Sequence, residues 1–237
     1  MRSHPRAAIV VLLVLASSMA LAGCASGSHE MPPSPTSSHP ADPAISGIRG
    51  AAHFDEGFVQ IGDGDKVVDI YLDAMCPHCR EFEETSLSAL LSDAAAGRAE
   101  IRVHPVAILD RLSSGSRYST RAAADVVDVA VHHPDSVGSF LETLFAHQPE
   151  EGGSGLTDAQ LGDLVRDATG EAASERGERA AYRMWVESRT AMATTGPLAE
   201  TEDIPRLQGV PTVLVDGELY EGAGADGPAF SDFYSAY

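Results

Sequence analysis

The chain has 237 residues, 43% of them hydrophobic, and its 16 basic side chains stand against 35 acidic ones for a formal net charge of -19. A surface of that sign repels phosphate backbones and anionic headgroups, which argues against nucleic acid as a partner and against a polybasic grip on a membrane. Its 3 cysteines are too few for a disulfide framework, and an odd number leaves at least one with another role.

Residues 1–24 read MRSHPRAAIVVLLVLASSMALAGC: two arginines, an apolar run from Ala7 to Leu15, then small residues. The run is shorter than the roughly 20 residues a spanning helix requires, so a secretory signal is expected. Its last four residues, Leu21-Ala22-Gly23-Cys24, resemble the lipobox of bacterial lipoproteins. That resemblance implies a signal peptide over 1–23, cleavage before Cys24, a diacylglyceryl group on the Cys24 thiol, and a place on the outer face of the cytoplasmic membrane. Removing 1–23 takes away Arg2 and Arg6 and no acid, so the mature chain is more acidic still. Residues 24–50 are rich in Ser, Pro, Gly and His with little to fill a core, and a disordered tether is expected there. Residues 51–237 are the size of one domain with a full hydrophobic core.

Within that domain Phe58 to Ile61 is a strand candidate, and Gly62-Asp63-Gly64-Asp65 is a turn by composition. Lys66 to Leu72 (KVVDIYL) suits a strand buried on both faces. Pro77 can open a helix at its first position, after which Phe82, Leu87, Leu90, Leu91 and Ala94 recur at helical spacing and Gly97 supplies a stop. Glu100 to Val106 is the next strand candidate. Helical patterns follow over 122–131, over 137–147 before Pro149, from the capping box at Thr157 to Gln160, and over 180–193 before Gly196-Pro197. In the last of these, Tyr182 and Trp185 read as core, while His132-His133 reads as a solvated loop. Strand character returns at Pro211 to Val215, Asp216-Gly217 turns the chain into Glu218 to Glu221, and Phe230, Phe233 and Tyr234 mark a closing helix.

The chemistry-bearing stretch is Asp73-Ala74-Met75-Cys76-Pro77-His78-Cys79. A Cys-x-x-Cys pair can ligate a metal, close an inert bridge or exchange electrons. Zinc normally takes four ligands, and the sequence has neither a second Cys-x-x-Cys nor a His pair at ligand spacing, so no metal is expected. His104, beside Pro105 at a strand end, reads as a packing residue. Cys76, placed between a buried strand and a helix N-terminus, sits where free N–H groups favour a thiolate, the form that attacks disulfides. His78 inside the loop can add a donor or a charge. Glu81, Glu83 and Glu84 in the first turns oppose that effect.

The order of elements, the Cys-Pro-His-Cys sequence and the distant Gly209-Val210-Pro211-Thr212 resemble the thioredoxin superfamily. More narrowly they resemble its DsbA-like branch, including the membrane-associated actinobacterial members, to which Leu144-Phe145-Ala146-His147-Gln148-Pro149 is also similar. The resemblance implies an α/β thioredoxin fold, a central mixed sheet flanked by helices, with a helical subdomain inserted at about 113–200. It implies an attacking Cys76, a resolving Cys79, Pro77 and His78 shaping the loop between them, and a cis-Pro211 that leaves the Val210 backbone free to pair with substrate. It implies thiol-disulfide exchange needing no cofactor beyond the Cys76–Cys79 disulfide, cysteine-containing exported proteins as substrates, and a membrane partner for recycling. Donation of disulfides is the leading expectation; a reductase of the same fold and a non-catalytic binding lipoprotein are the alternatives. One departure stands out: where many members have a buried acid six residues before the first cysteine, this chain has Ile70. Strand alternation directs the adjacent Asp69 to the opposite face.

Overall fold

A computed structural model describes residues 45–198, 200–201, 204–222 and 227–237, with the side chains of 227–228 left aside. The expected signal peptide, Cys24 and most of the tether lie outside these residues.

Seven strands form one sheet: β1 (Ile48–Arg49), β2 (Ala52–His53), β3 (Phe58–Ile61), β4 (Lys66–Leu72), β5 (Ala99–Pro105), β6 (Thr212–Val215) and β7 (Glu218–Leu219). Their spatial order is β1-β2-β3-β5-β4-β6-β7. Among the described residues only β4 and β5 run parallel, with Val68 opposite Ile101 and Ile70 opposite Val103; every other pairing there is antiparallel. The mixed sheet expected from the sequence is therefore present. It begins at Ile48, inside the segment assigned to the tether, because β1 pairs through its backbone while both its side chains stay exposed and leave no apolar pattern to read.

β4 is the middle of the sheet, and Val68 through Leu72 are all buried. Alternation sends Val68, Ile70 and Leu72 to the face shared with the helices that follow, and Tyr71 to a second apolar cluster with Val106, Leu198, Leu207 and Leu214. The helix after β4 is α1 (Pro77–Phe82) and α2 (Ser88–Ala95), joined by a π turn at Glu83–Leu87. Phe82 and Leu87, five positions apart, are both buried, and the wider turn lets both face inward. Gly97, at φ +68, ends it as expected.

Between β5 and β6 lie α3 (Tyr118–His132), α4 (Val137–Ala146), α5 (Asp158–Thr169) and α6 (Arg176–Thr195), which make up the inserted helical region. The Thr157–Gln160 capping box forms, with both reciprocal bonds present. Tyr182 and Trp185 are core residues, and the Trp185 indole donates to the Phe54 carbonyl at 3.0 Å. His132 is not in a loop: it is the last residue of α3 and lies 3.2 Å from a Glu178 carboxylate oxygen. The final helix, α7 (Gly227–Ala236), brings Phe230 edge-on to Phe82 at 5.1 Å.

α3 is buried over nearly its whole length, and it carries Asp125, which is fully buried. Arg179 on α6 reaches both its carboxylate oxygens with bonds of 2.8 Å. Burial outweighs that guanidinium and pushes the Asp125 carboxyl up to about 6. A raised carboxyl stabilises the fold below its ordinary range, and that contribution is lost as pH rises through about 6. Removing the cation pushes the carboxyl higher still. Arg179→Met is therefore expected to cost about 3–5 kcal/mol at pH 8 and less at pH 5. Urea unfolding at the two pH values checks this, and an equal loss at both contradicts it.

Candidate active site

The C-terminal end of β4 delivers the chain to Cys76, which is extended (φ -78, ψ 119) and stands as the N-cap of α1 with Pro77 behind it. Pro77 has no N–H to satisfy at N1. His78 and Cys79 then occupy N2 and N3; no side chain caps this helix by a hydrogen bond, the Cys79 N–H bonds the Cys76 carbonyl at 3.1 Å, and the Cys76 thiol stands beside the N-terminal end. The Cys79 thiol first, then the Cys79 and His78 backbone N–H groups, bring the Cys76 thiol down to about 7 against the opposition of burial.

Cys79 is fully buried, and burial pushes its thiol well above the ordinary range. The two sulfurs are thus unequal, with one poised to ionise and the other shielded. Both are free thiols, so the structure is that of the reduced pair. The His78 imidazole does not lie over the cysteines. Its Nδ1 is 2.9 Å from a Glu81 carboxylate oxygen and it is largely exposed, so this residue acts on Cys76 chiefly through its backbone.

Val210 and Pro211 arrive from far along the chain as expected. Their peptide bond is cis, and the Cys76 thiol donates to the Val210 carbonyl at 3.2 Å. Asp69 lies on the opposite face of the sheet, bonded to His104 at 2.8 Å, so it has no part in this site.

Two residues to which the sequence assigns no role complete the site. Asp73, fully buried, accepts the Met75 N–H on one carboxylate oxygen at 2.9 Å and the Leu109 N–H on the other at 2.8 Å. Burial nevertheless pushes its carboxyl up to about 6, and its charge acts to raise both cysteine thiols. It is a buried acid three residues before Cys76, while position 70 holds an isoleucine. The Gln148 side chain, from the connection between α4 and α5, donates to the carbonyls of Ala74 at 3.1 Å and Cys76 at 2.9 Å. A carboxylate after a strand and an amide before a proline look like ordinary turn residues, and nothing in the sequence marks them as buried partners of the cysteine loop.

A family model described as thioredoxin matches residues 60–227. The chain belongs to the thioredoxin family. Among solved structures it is similar to reduced DsbA from Mycobacterium tuberculosis, with TM-score 0.57 and 22% identity over 76% of this chain and 98% of that one. It is similar also to the reduced disulfide bond oxidoreductase DsbG from the same organism, with TM-score 0.56 and 25% identity over 70% of this chain and 81% of that one. Among curated proteins it is 32% identical over 118 residues to the serine/threonine-protein kinase PknE of M. tuberculosis, a stretch that is 48% of this chain and 21% of the kinase. The chain thus spans about a fifth of the length of the curated relatives it matches. The DsbA-like thioredoxin fold expected from the sequence is the one observed.

The thiolate favoured by the Cys79 thiol and the nearby backbone N–H groups is fully present above the ordinary thiol range and is lost as pH falls through about 7. Alkylation of Cys76 in the reduced protein should accordingly titrate with a midpoint near 7, followed by thiolate absorbance. Asp73→Asn removes a charge that opposes ionisation, so that midpoint should move lower; an unchanged or higher midpoint contradicts the assigned role of Asp73.

Proposed function

We propose that this protein is an extracytoplasmic, lipid-anchored thiol-disulfide oxidoreductase that donates disulfides to exported proteins through Cys76 and Cys79. The observation that carries the exchange activity is the arrangement of the pair, in which Cys76 heads α1 with its thiol against the Val210 carbonyl while Cys79 is fully buried. The likeness to DsbG, a disulfide bond oxidoreductase, supports the same activity.

In the oxidised protein a substrate thiolate attacks the Cys76 sulfur, the Cys76–Cys79 bond breaks, and Cys79 leaves with the electron pair. A proton then reaches Cys79, whose thiol form burial favours; the Asp73 carboxyl, raised to about 6, is placed to hold that proton in transit. A second substrate thiolate attacks the substrate sulfur of the mixed disulfide, and Cys76 leaves as a thiolate. Two substrate thiols have lost two electrons and two protons, and the enzyme pair has gained the electrons. During the mixed disulfide, the Val210 carbonyl that faces the Cys76 thiol is free to accept a backbone N–H of an extended substrate. Reoxidation of Cys76 and Cys79 requires a disulfide-bearing partner in the membrane.

A second reading, reduction of substrate disulfides, is favoured by one number. The Cys76 thiol at about 7 is close to the roughly 7 of thioredoxin and far from the roughly 3.5 of the strongest disulfide donors. Equilibration with glutathione buffers separates the readings: a potential near about -120 mV supports donation and one near about -270 mV supports reduction. Failure to form a reversible couple defeats both.

The anchor is tested separately. Cys24→Ala should leave the chain unprocessed or released from membranes, and unchanged partition and mass reject lipidation.

A further inference from the structure

On the face of the sheet away from the cysteines, three side chains from positions 69, 104 and 200 converge. Asp69 lies on β4, His104 on β5, and Glu200 in the segment between α6 and β6. His104 Nε2 is 2.8 Å from Asp69 Oδ1 and 3.8 Å from Glu200 Oε1, and the three ligating atoms lie within 4.8 Å of one another. Asp69 and His104 are almost fully buried, and the Glu200 side chain is 11% exposed.

We infer that Asp69, His104 and Glu200 form a binding site for one divalent cation of borderline softness, with zinc as the natural probe. Charge is the first argument. Two carboxyl groups and one imidazole meet in a poorly hydrated place, where a cation compensates the burial of acidic side chains. His104 Nε2 lies within hydrogen-bond length of Asp69 alone, and Glu200 Oε1 faces the same nitrogen from beyond that length. A cation taking the lone pair of the neutral ring and one oxygen from each carboxylate engages all three.

Geometry agrees. Ligands held about 2.1 Å from zinc in a tetrahedron lie about 3.4 Å apart, so the pair at 2.8 Å opens slightly and Glu200 closes in. A cavity of about 380 Å³ whose lining includes His104 and Glu200 together with Phe58, Tyr71, Arg102 and Arg189 opens beside the site and leaves room for a fourth ligand. An imidazole nitrogen and two carboxylate oxygens are the donor set such ions accept.

The surroundings also resemble the outer shell of a metal site. The Tyr71 hydroxyl donates to Glu200 Oε2 at 2.8 Å, and its ring stacks on His104 at 4.2 Å, so one residue orients two of the ligands. A bound ion would fasten the Glu200 segment to β4 and β5, and that segment continues to Val210 and Pro211.

The test is zinc binding to the full chain carrying Cys24→Ser, Cys76→Ser and Cys79→Ser, which removes all 3 thiols as competing ligands and separates this site from the redox reading. Competition against a chromophoric chelator should give one zinc per chain. Glu200→Gln, a shape-preserving change near the surface, and His104→Gln should each weaken binding about 100-fold or more. Tyr71→Phe, which loses only an orienting bond, should weaken it about tenfold. Absence of stoichiometric binding at micromolar zinc overturns the proposal. So does an affinity that Glu200→Gln leaves unchanged in a protein that melts like its parent.

Discussion

The Cys79 thiol and the backbone N–H groups of Cys79 and His78, at the start of α1, together favour charge on the Cys76 sulfur. Much of the molecule serves to hold that arrangement. β4 is fixed on one side by parallel β5 and on the other by antiparallel β6, so the point where it releases the chain cannot drift. Asp73 ties the loop to the backbone at Met75 and Leu109, and the Val210 carbonyl closes the open side of the sulfur.

The insertion is part of that hold rather than an ornament on the sheet. Gln148 reaches from the α4–α5 connection to two carbonyls of the cysteine loop, and both its bonds come from one amide nitrogen. Behind it, α3 is buried among the other helices and is locked to α6 through Asp125 and Arg179. The rigidity of the site therefore draws on helices remote in sequence from the thiols.

Much of this was legible in the chain. The run KVVDIYL, Pro77 at a helix start, the Thr157 capping box and the Asp216-Gly217 turn each carry a local signal, and each element formed where its signal lay. β1 was missed because exposed side chains on a two-residue strand leave no pattern. Strand alternation correctly sent Asp69 away from the cysteines. It could not say that Asp69 would meet His104 and Glu200, because that meeting depends on where the α6–β6 segment returns. Asp73 and Gln148 were unreadable for a similar reason. A polar side chain becomes a site residue only when folding buries it beside its partner, and the sequence holds no local trace of that.

The π turn at Glu83–Leu87 sets the relation between the two halves of the active-site helix. Each residue of an α-helix advances the face by about 100°, so side chains five positions apart would point about 140° away from each other. The wider turn absorbs that difference and places Phe82 and Leu87 on the same buried side. One residue is thereby used for phase instead of length. The half that aims N–H groups at sulfur and the half that seats Leu87 and Leu90 in the core are each free to take their own rotational setting, keyed together by a single irregular turn.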